Sequence, residues 1–186
     1  MSTKKKLALF DLDGTLFNTD DVNYMAYKTA LAEFSVELDR DYFVNECNGR
    51  RYKEFLPVIM GDSTHMEEVH EMKKANYGKF LSNARLNKHL FSFIDDMKKD
   101  YHIAIVTTAS KRNVGEILDH FGVRDVFEYI ITQEDMVRSK PDPEGFLKAM
   151  EHYNLTPEDT IIFEDSEVGL QAAVASGATV FKVEKF

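Results

Sequence analysis

From about residue 90 onward, short apolar runs alternate with amphipathic stretches. His102–Val106, Tyr129–Thr132, Thr160–Glu164 and Thr179–Val183 are rich in Ile, Val and Phe and read as strands. Between them the spacing predicts helices. One is capped by Ser110, carries Val114, Ile117, Leu118 and Phe121 on one face, and ends at Gly122. Asp142-Pro143 starts a second, with Phe146, Leu147 and Met150 as its apolar face. A third begins near Ser166, buries Leu170, Ala173 and Val174, and stops at Gly177. Leu7–Phe10 supplies one more strand from the far N-terminus. This alternation predicts an α/β fold, a Rossmann-like parallel sheet of about five strands with helices on both faces.

The stretch from about Thr19 to Asn83 follows a different period. Val22, Met25, Ala26, Thr29 and Ala30 share one helical face, as do Met66, Val69, Met72 and Phe80, and strand signal is almost absent. Asn48-Gly49 and Gly61 read as helix stops, Pro57 as the interruption of a short helix, and Thr64-x-x-Glu67 as a capping box. The expectation is an all-helical cap of four short helices over 17–83, inserted after the first strand of a core made of 1–16 and 84–186. Such an excursion can serve as a lid over the strand ends.

Composition narrows the class of partner. The 186 residues are 44% hydrophobic, enough for one well-buried core, and 32 acidic against 23 basic residues leave a formal charge of −9. That balance works against nucleic acid and against an anionic membrane surface, and an anionic substrate would require local positive groups. Lys4-Lys5-Lys6 is too short for a polybasic tag and reads as a solvated terminus. No apolar run approaches the roughly 18 to 20 residues that span a bilayer, and no secretory h-region is present, so a cytoplasmic protein, a monomer or weak dimer, is expected. The single cysteine, Cys47, reads as structural. His70-Glu71 lacks the second histidine of a zinc-protease helix, Lys74 standing in its place, and the histidines read as surface or packing residues.

Ligands of open parallel sheets bind beyond the carboxyl ends of the strands. Those ends carry Asp11-Leu12-Asp13-Gly14-Thr15, Thr107-Thr108 and Glu164-Asp165, while Lys140 precedes a proline-rich turn. Four carboxylates, a hydroxyl pair and a lysine therefore converge on one sheet edge. Taken singly, each has a structural reading as a turn former, helix cap or loop stop.

Asp11-x-Asp13-Gly14-Thr15, a strand ending in Thr107, Lys140-Pro141-Asp142-Pro143 and Glu164-Asp165-Ser166-x-x-Gly169 together resemble, in order and spacing, the signatures of the haloacid dehalogenase superfamily. The resemblance is strongest to its small-cap branch of sugar-phosphate phosphatases and beta-phosphoglucomutase. It implies that Asp11 attacks phosphorus to form an aspartyl-phosphate, and that Asp13 handles protons and offers a backbone carbonyl to Mg²⁺. It implies further that Asp165 completes the protein's share of the magnesium shell, with Glu164 a direct or indirect contributor, and that Lys140 holds the nucleophile and offsets phosphoryl charge. Thr107 would hydrogen-bond a phosphoryl oxygen, with Thr108 as the alternative one residue on. The chemistry is consistent, because a phosphate ester repels an anionic nucleophile unless a hard cation offsets the charge.

Within that resemblance, the second aspartate favours an oxygen leaving group over carbon–halogen or carbon–phosphorus cleavage. The expected activity is hydrolysis of a small phosphorylated metabolite, the alternatives being a beta-phosphoglucomutase-type mutase and a non-catalytic phosphate and magnesium binder. Arg50, Arg51 and Lys53 could reach a second anionic group of the substrate, or could simply lie on a solvated helix.

Overall fold

The computed structural model describes residues 4–48 and 50–186. Gly49, half of the predicted Asn48-Gly49 stop, lies outside the described residues. In chain order come β1 (Lys6–Phe10), β2 (Phe17–Asn18), α1 (Asp20–Ala32), the single turn α2 (Arg40–Tyr42), α3 (Tyr52–Met60) and α4 (Met66–Asn76). There follow β3 (Arg85–Leu86), α5 (Lys88–Met97), β4 (Tyr101–Val106), α6 (Lys111–Phe121) and β5 (Tyr129–Ile131). The chain ends through α7 (Glu144–Tyr153), β6 (Thr160–Glu164), α8 (Glu167–Ala175) and β7 (Thr179–Lys182). Two compact units result, one holding everything up to Asn18 together with Arg85–Phe186, the other Thr19–Ala84.

The first unit is built on a five-stranded sheet in the order β5-β4-β1-β6-β7, parallel at every pairing. Its strands are apolar on both faces because both faces are covered. Leu7, Leu9, Ala104, Val106, Ile131 and Ile162 pack with Phe146, Ala149 and Met150 of α7 and with Ala172 and Ala173 of α8. On the opposite face Phe10 stacks on Phe163 at 4.7 Å, and Phe93 of α5 meets Phe163 edge-on at 6.0 Å. Each fully buried Leu, Ile or Phe contributes about 1.5–3 kcal/mol, so this sandwich holds most of the unit's stability. Chain order runs outward from β1 through β4 to β5, then returns to the other side of β1 as β6. The reversal beside β1 is where such sheets leave a crevice.

Two predicted helix faces are corrected. In α7 the buried stripe is Gly145, Phe146, Ala149 and Met150, and Leu147, one step of about 100° past Phe146, is 44% exposed. In α8 Gly169, Ala172 and Ala173 face inward while Val174 is 68% exposed, since small side chains let the helix approach the sheet closely. The caps agree with expectation: the hydroxyls of Ser110 and Ser166 accept the amides of Asn113 and Gly169, and Gly122 ends α6 in the left-handed region.

The second unit is helical, but less regular than four short helices. α2 runs into one π turn, Phe43–Cys47, and α4 into a 3-10 stretch, Tyr77–Asn83. Pro57 lies inside α3 without breaking it; the donor it lacks would have served the carbonyl of Lys53, in the helix's first turn. The Thr64 capping box is absent: α4 begins at Met66, and the Thr64 amide donates instead to Asp62 Oδ1 at 2.7 Å. A local Asx turn has outcompeted the helix start. The core of this unit is aromatic, with Tyr24, Tyr27, Phe43 and Phe55 around Leu31, Leu56 and Val69, and Cys47 is buried among them. His70 stacks flat on Tyr52 at 3.7 Å, and its Nδ1 lies 3.2 Å from the Tyr27 hydroxyl.

Where the chain leaves and re-enters the first unit, Phe17 and Asn18 pair antiparallel with Leu86 and Arg85. That pairing keeps Phe17 and Asn18 with the sheet unit, so the helical unit starts at Thr19. No helix among the described residues is long and apolar enough to cross a membrane.

Candidate active site

Asp11 follows the last residue of β1, the central strand, and its amide donates to the Phe163 carbonyl of β6 at 3.0 Å. The loop after it folds back on itself. The amides of Leu16 and Phe17 both donate to the Leu12 carbonyl at 3.0 Å, and Gly14 N–H donates to the Phe17 carbonyl at 2.7 Å. Gly14 has φ of +90°, and a Cβ there would overlap the Asp165 carboxylate, so only glycine fits on both counts. Thr15, fully buried, donates its hydroxyl to Asp165 Oδ1 at 2.9 Å. Asn87 fastens the loop from outside, donating to the Thr15 carbonyl at 3.1 Å while its side-chain oxygen caps α5.

The carboxylates of Asp11, Glu164 and Asp165 present oxygens within 4.8 Å of one another. Into this group reaches Lys140, buried, with Nζ 2.5 Å from Asp11 Oδ1 and 2.6 Å from Glu164 Oε2. Glu164 is wholly buried, and its other oxygen accepts from the amides of Asp165 and Ser166 at 3.1 Å and from the Ser166 hydroxyl at 2.9 Å. This fit at the start of α8 exists because Gly169 has no Cβ, which would collide with the Glu164 carboxyl.

Electrostatics follow from crowding three carboxylates around one ammonium. Burial and the neighbouring Glu164 raise the pKa of Asp11 well above the ordinary carboxylate range, and Lys140 only partly offsets them. Burial, then Glu164, pushes Asp165 up to about 6 against the opposing Thr15 hydroxyl. Burial works to lower the Lys140 ammonium, but Asp11 and Glu164 outweigh it and its pKa is raised. Three carboxylates against one ammonium offer oxygen ligands only, the donor chemistry that suits Mg²⁺. Asp11 and Asp165 are the carboxylates available to such an ion, since Glu164 is already occupied by four donors.

Other predicted residues are distributed unevenly. Asp13 is half-buried in the same loop, bridged through its backbone to Phe17. Thr107 follows the last residue of β4, buried, with its hydroxyl oxygen accepting the Ala109 amide at 3.0 Å, and β1–β4 register brings it within one residue of the level of Asp11. Thr108 is exposed. Arg50, Arg51 and Lys53 belong to the helical unit and are exposed; Arg50 lies 4.0 Å from Glu46 and Lys53 3.2 Å from Glu67. Exposed pairs of this kind contribute about 0–1 kcal/mol and can exchange partners. Thr15, Asn87 and Gly169 were given no role at this site by sequence reasoning. Thr15 stands inside the quoted motif, whereas nothing in the sequence flags Asn87 beyond its being a helix-capping residue type.

A parallel sheet with an aspartate beyond its central strand and a buried lysine among carboxylates defines an α/β enzyme-type site at the sheet's carboxyl edge. Residues 8–183 match the family model of haloacid dehalogenase-like hydrolases, and the chain belongs to that family. A phosphorylated carbohydrates phosphatase of Thermotoga maritima is 27% identical over 176 residues, 91% of this chain and 80% of that protein. Beta-phosphoglucomutase of Bacillus subtilis is 28% identical over 184 residues, 92% and 80% of the two chains. The crystal structure of CbbY from Rhodobacter sphaeroides in complex with phosphate shares the fold, with a TM-score of 0.85 at 24% identity, covering 97% of this chain and 87% of that one.

Proposed function

We propose that the protein is a magnesium-dependent phosphatase that hydrolyses a small phosphorylated metabolite, of the sugar phosphate class, through an aspartyl-phosphate on Asp11. The observation that carries this reading is the buried Lys140 ammonium held between Asp11 and Glu164, beside Asp165. A lysine so placed works against burial to favour the ionised form of Asp11, aims its carboxylate, and supplies a fixed positive charge where phosphoryl oxygens arrive. Asp11, Asp165 and the backbone carbonyl of Asp13 would hold a magnesium ion, which supplies the charge that lets an anionic carboxylate approach a phosphate ester. Glu164 acts through Lys140 and the start of α8.

In the first step an Asp11 oxygen attacks phosphorus while Asp13 gives its proton to the departing oxygen. In the second, the Asp13 carboxylate takes a proton from the water that attacks the acyl-phosphate, and inorganic phosphate leaves with Asp11 restored. Thr107 donates its hydroxyl proton to a phosphoryl oxygen, its own oxygen being engaged by Ala109. The names of the Thermotoga and Bacillus relatives support a phosphorylated carbohydrate as substrate.

Purified protein with magnesium, assayed on a panel of sugar phosphates, nucleotides and phosphoglycolate, is expected to release inorganic phosphate, and Asp11→Asn to lower the rate by roughly 10³-fold or more. Glucose 6-phosphate formed from beta-glucose 1-phosphate would instead identify a mutase. No turnover of any ester, or turnover that survives Asp11→Asn, would sink the reading.

A further inference from the structure

Lys140 is carried by the connection between β5 and α7, whose residues Met136–Pro143 form no regular element. Nothing apolar ties down the middle of this loop: Val137 is 90% exposed and Arg138 is also exposed. Carboxylates fasten it instead, Glu144 foremost. Glu144, the first residue of α7, accepts the Val137 amide on Oε1 and the Arg138 amide on Oε2, each at 2.9 Å. The same side chain has Lys148 Nζ at 2.7 Å and Arg138 Nε at 3.4 Å. Its own amide donates to Asp142 Oδ1 at 3.0 Å, closing the far end of the loop, and the Asp142 amide donates to the Ser139 carbonyl at 3.1 Å. Next to it, Gly145 leaves room for the Met136 thioether and the Val106 side chain, which a Cβ would displace. The Glu144 carboxyl, its side chain only 10% exposed, is held at a pKa of about 2 by Lys148 and by the amides of Val137 and Arg138, so the fastening is charged at neutral pH.

We propose that Glu144 is a positioning residue for phosphoryl transfer: by binding two consecutive loop amides it sets the backbone from which Lys140 reaches Asp11 and Glu164. The inference rests on the role given to Lys140 above. A carboxylate offers two acceptors to two donors; an amide side chain in its place turns an N–H₂ toward one of them, leaving that amide unserved and pushing the loop away. Because the ammonium meets two fixed carboxylates, a displacement of about 1 Å costs on the order of 10²-fold in rate.

The test uses the full chain with Glu144→Gln, Glu144→Asp and, as a control, Glu151→Ala, which removes an exposed carboxylate of the same helix. Two readouts are taken. Steady-state kinetics on the best substrate should show kcat reduced about 10- to 100-fold in Glu144→Gln with KM changed less than about threefold, Glu144→Asp intermediate, and Glu151→Ala within about twofold of wild type. Amine-reactive labelling without substrate, read by peptide mass spectrometry, should find Lys140 protected in wild type and Glu151→Ala, and modified in Glu144→Gln. Lower thermal stability in Glu144→Gln with kcat and Lys140 protection unchanged would overturn the proposal and leave Glu144 a helix-start residue. If wild type hydrolyses no ester but the labelling difference is found, Glu144 holds Lys140 and the phosphatase reading is what fails.

Discussion

Asp165 combines a metal-ligand geometry with a pKa raised to about 6, and the two together fix how the site responds to acid. Its folded pKa lies above the ordinary carboxylate value, so in the metal-free protein it contributes stability at low pH that is lost as pH rises through about 6. Metal reverses the balance, because a cation requires the ionised form. Magnesium is therefore expected to raise the melting temperature more at pH 7.5 than at pH 5, and Asp165→Asn to reduce the pH dependence of that gain; an equal gain at both pH values would refute it. That Asp11, Lys140, Glu164 and Asp165 come together was legible because each stands in a short motif at a strand end or before a proline-rich turn. Thr15 and Asn87 were not legible as site residues, since what they do depends on which distant carbonyl or carboxylate the fold brings within 3 Å or so.

At the level of elements, two serine caps that look alike in sequence have different tasks. Ser110 accepts the Asn113 amide at 3.3 Å, whereas Ser166 accepts the Gly169 amide at 3.1 Å and also donates to the buried Glu164. Ser110→Ala should cost about 1 kcal/mol. Ser166→Ala should cost about 2 kcal/mol, because a buried carboxylate loses a donor as well. Urea denaturation measures both, and equal costs would mean that the second bond contributes nothing. The strands were readable within a residue or so because parallel strands covered on both faces are nearly continuous apolar runs. Helix faces were less so: Leu147 and Val174 are apolar yet exposed, while Tyr24 and Tyr27, which the periodicity passed over, supply much of the helical unit's core. Neither the short β2–β3 pairing nor the π turn leaves a periodic trace.

Across the molecule, the two units answer acid through different groups. In the helical unit, burial first, then Lys73 and Lys74, hold His70 down to about 4, with Tyr27, Tyr52, Glu67 and Glu71 as its other polar neighbours. A histidine with a depressed pKa favours the neutral form, so its contribution is complete above about 6.5 and declines as pH falls toward 4. Backbone amides of α1 and α4 should accordingly lose hydrogen-exchange protection between pH 6.5 and pH 4.5, relative to the sheet strands. Replacement of His70 by Phe, which keeps the ring against Tyr52, should remove that selective loss. Uniform loss across both units would exclude His70 as its source.

The pairing of Phe17 and Asn18 with Leu86 and Arg85 has a consequence for how the gene can change. Departure and return of the chain are neighbouring rungs of one ladder, so to the sheet the whole of Thr19–Ala84 is the tip of a hairpin. Lengthening that tip adds closure entropy only logarithmically, about 0.6 kcal/mol for each doubling. Helices can be gained, lost or exchanged there while β1 keeps its pairing with β4 and β6.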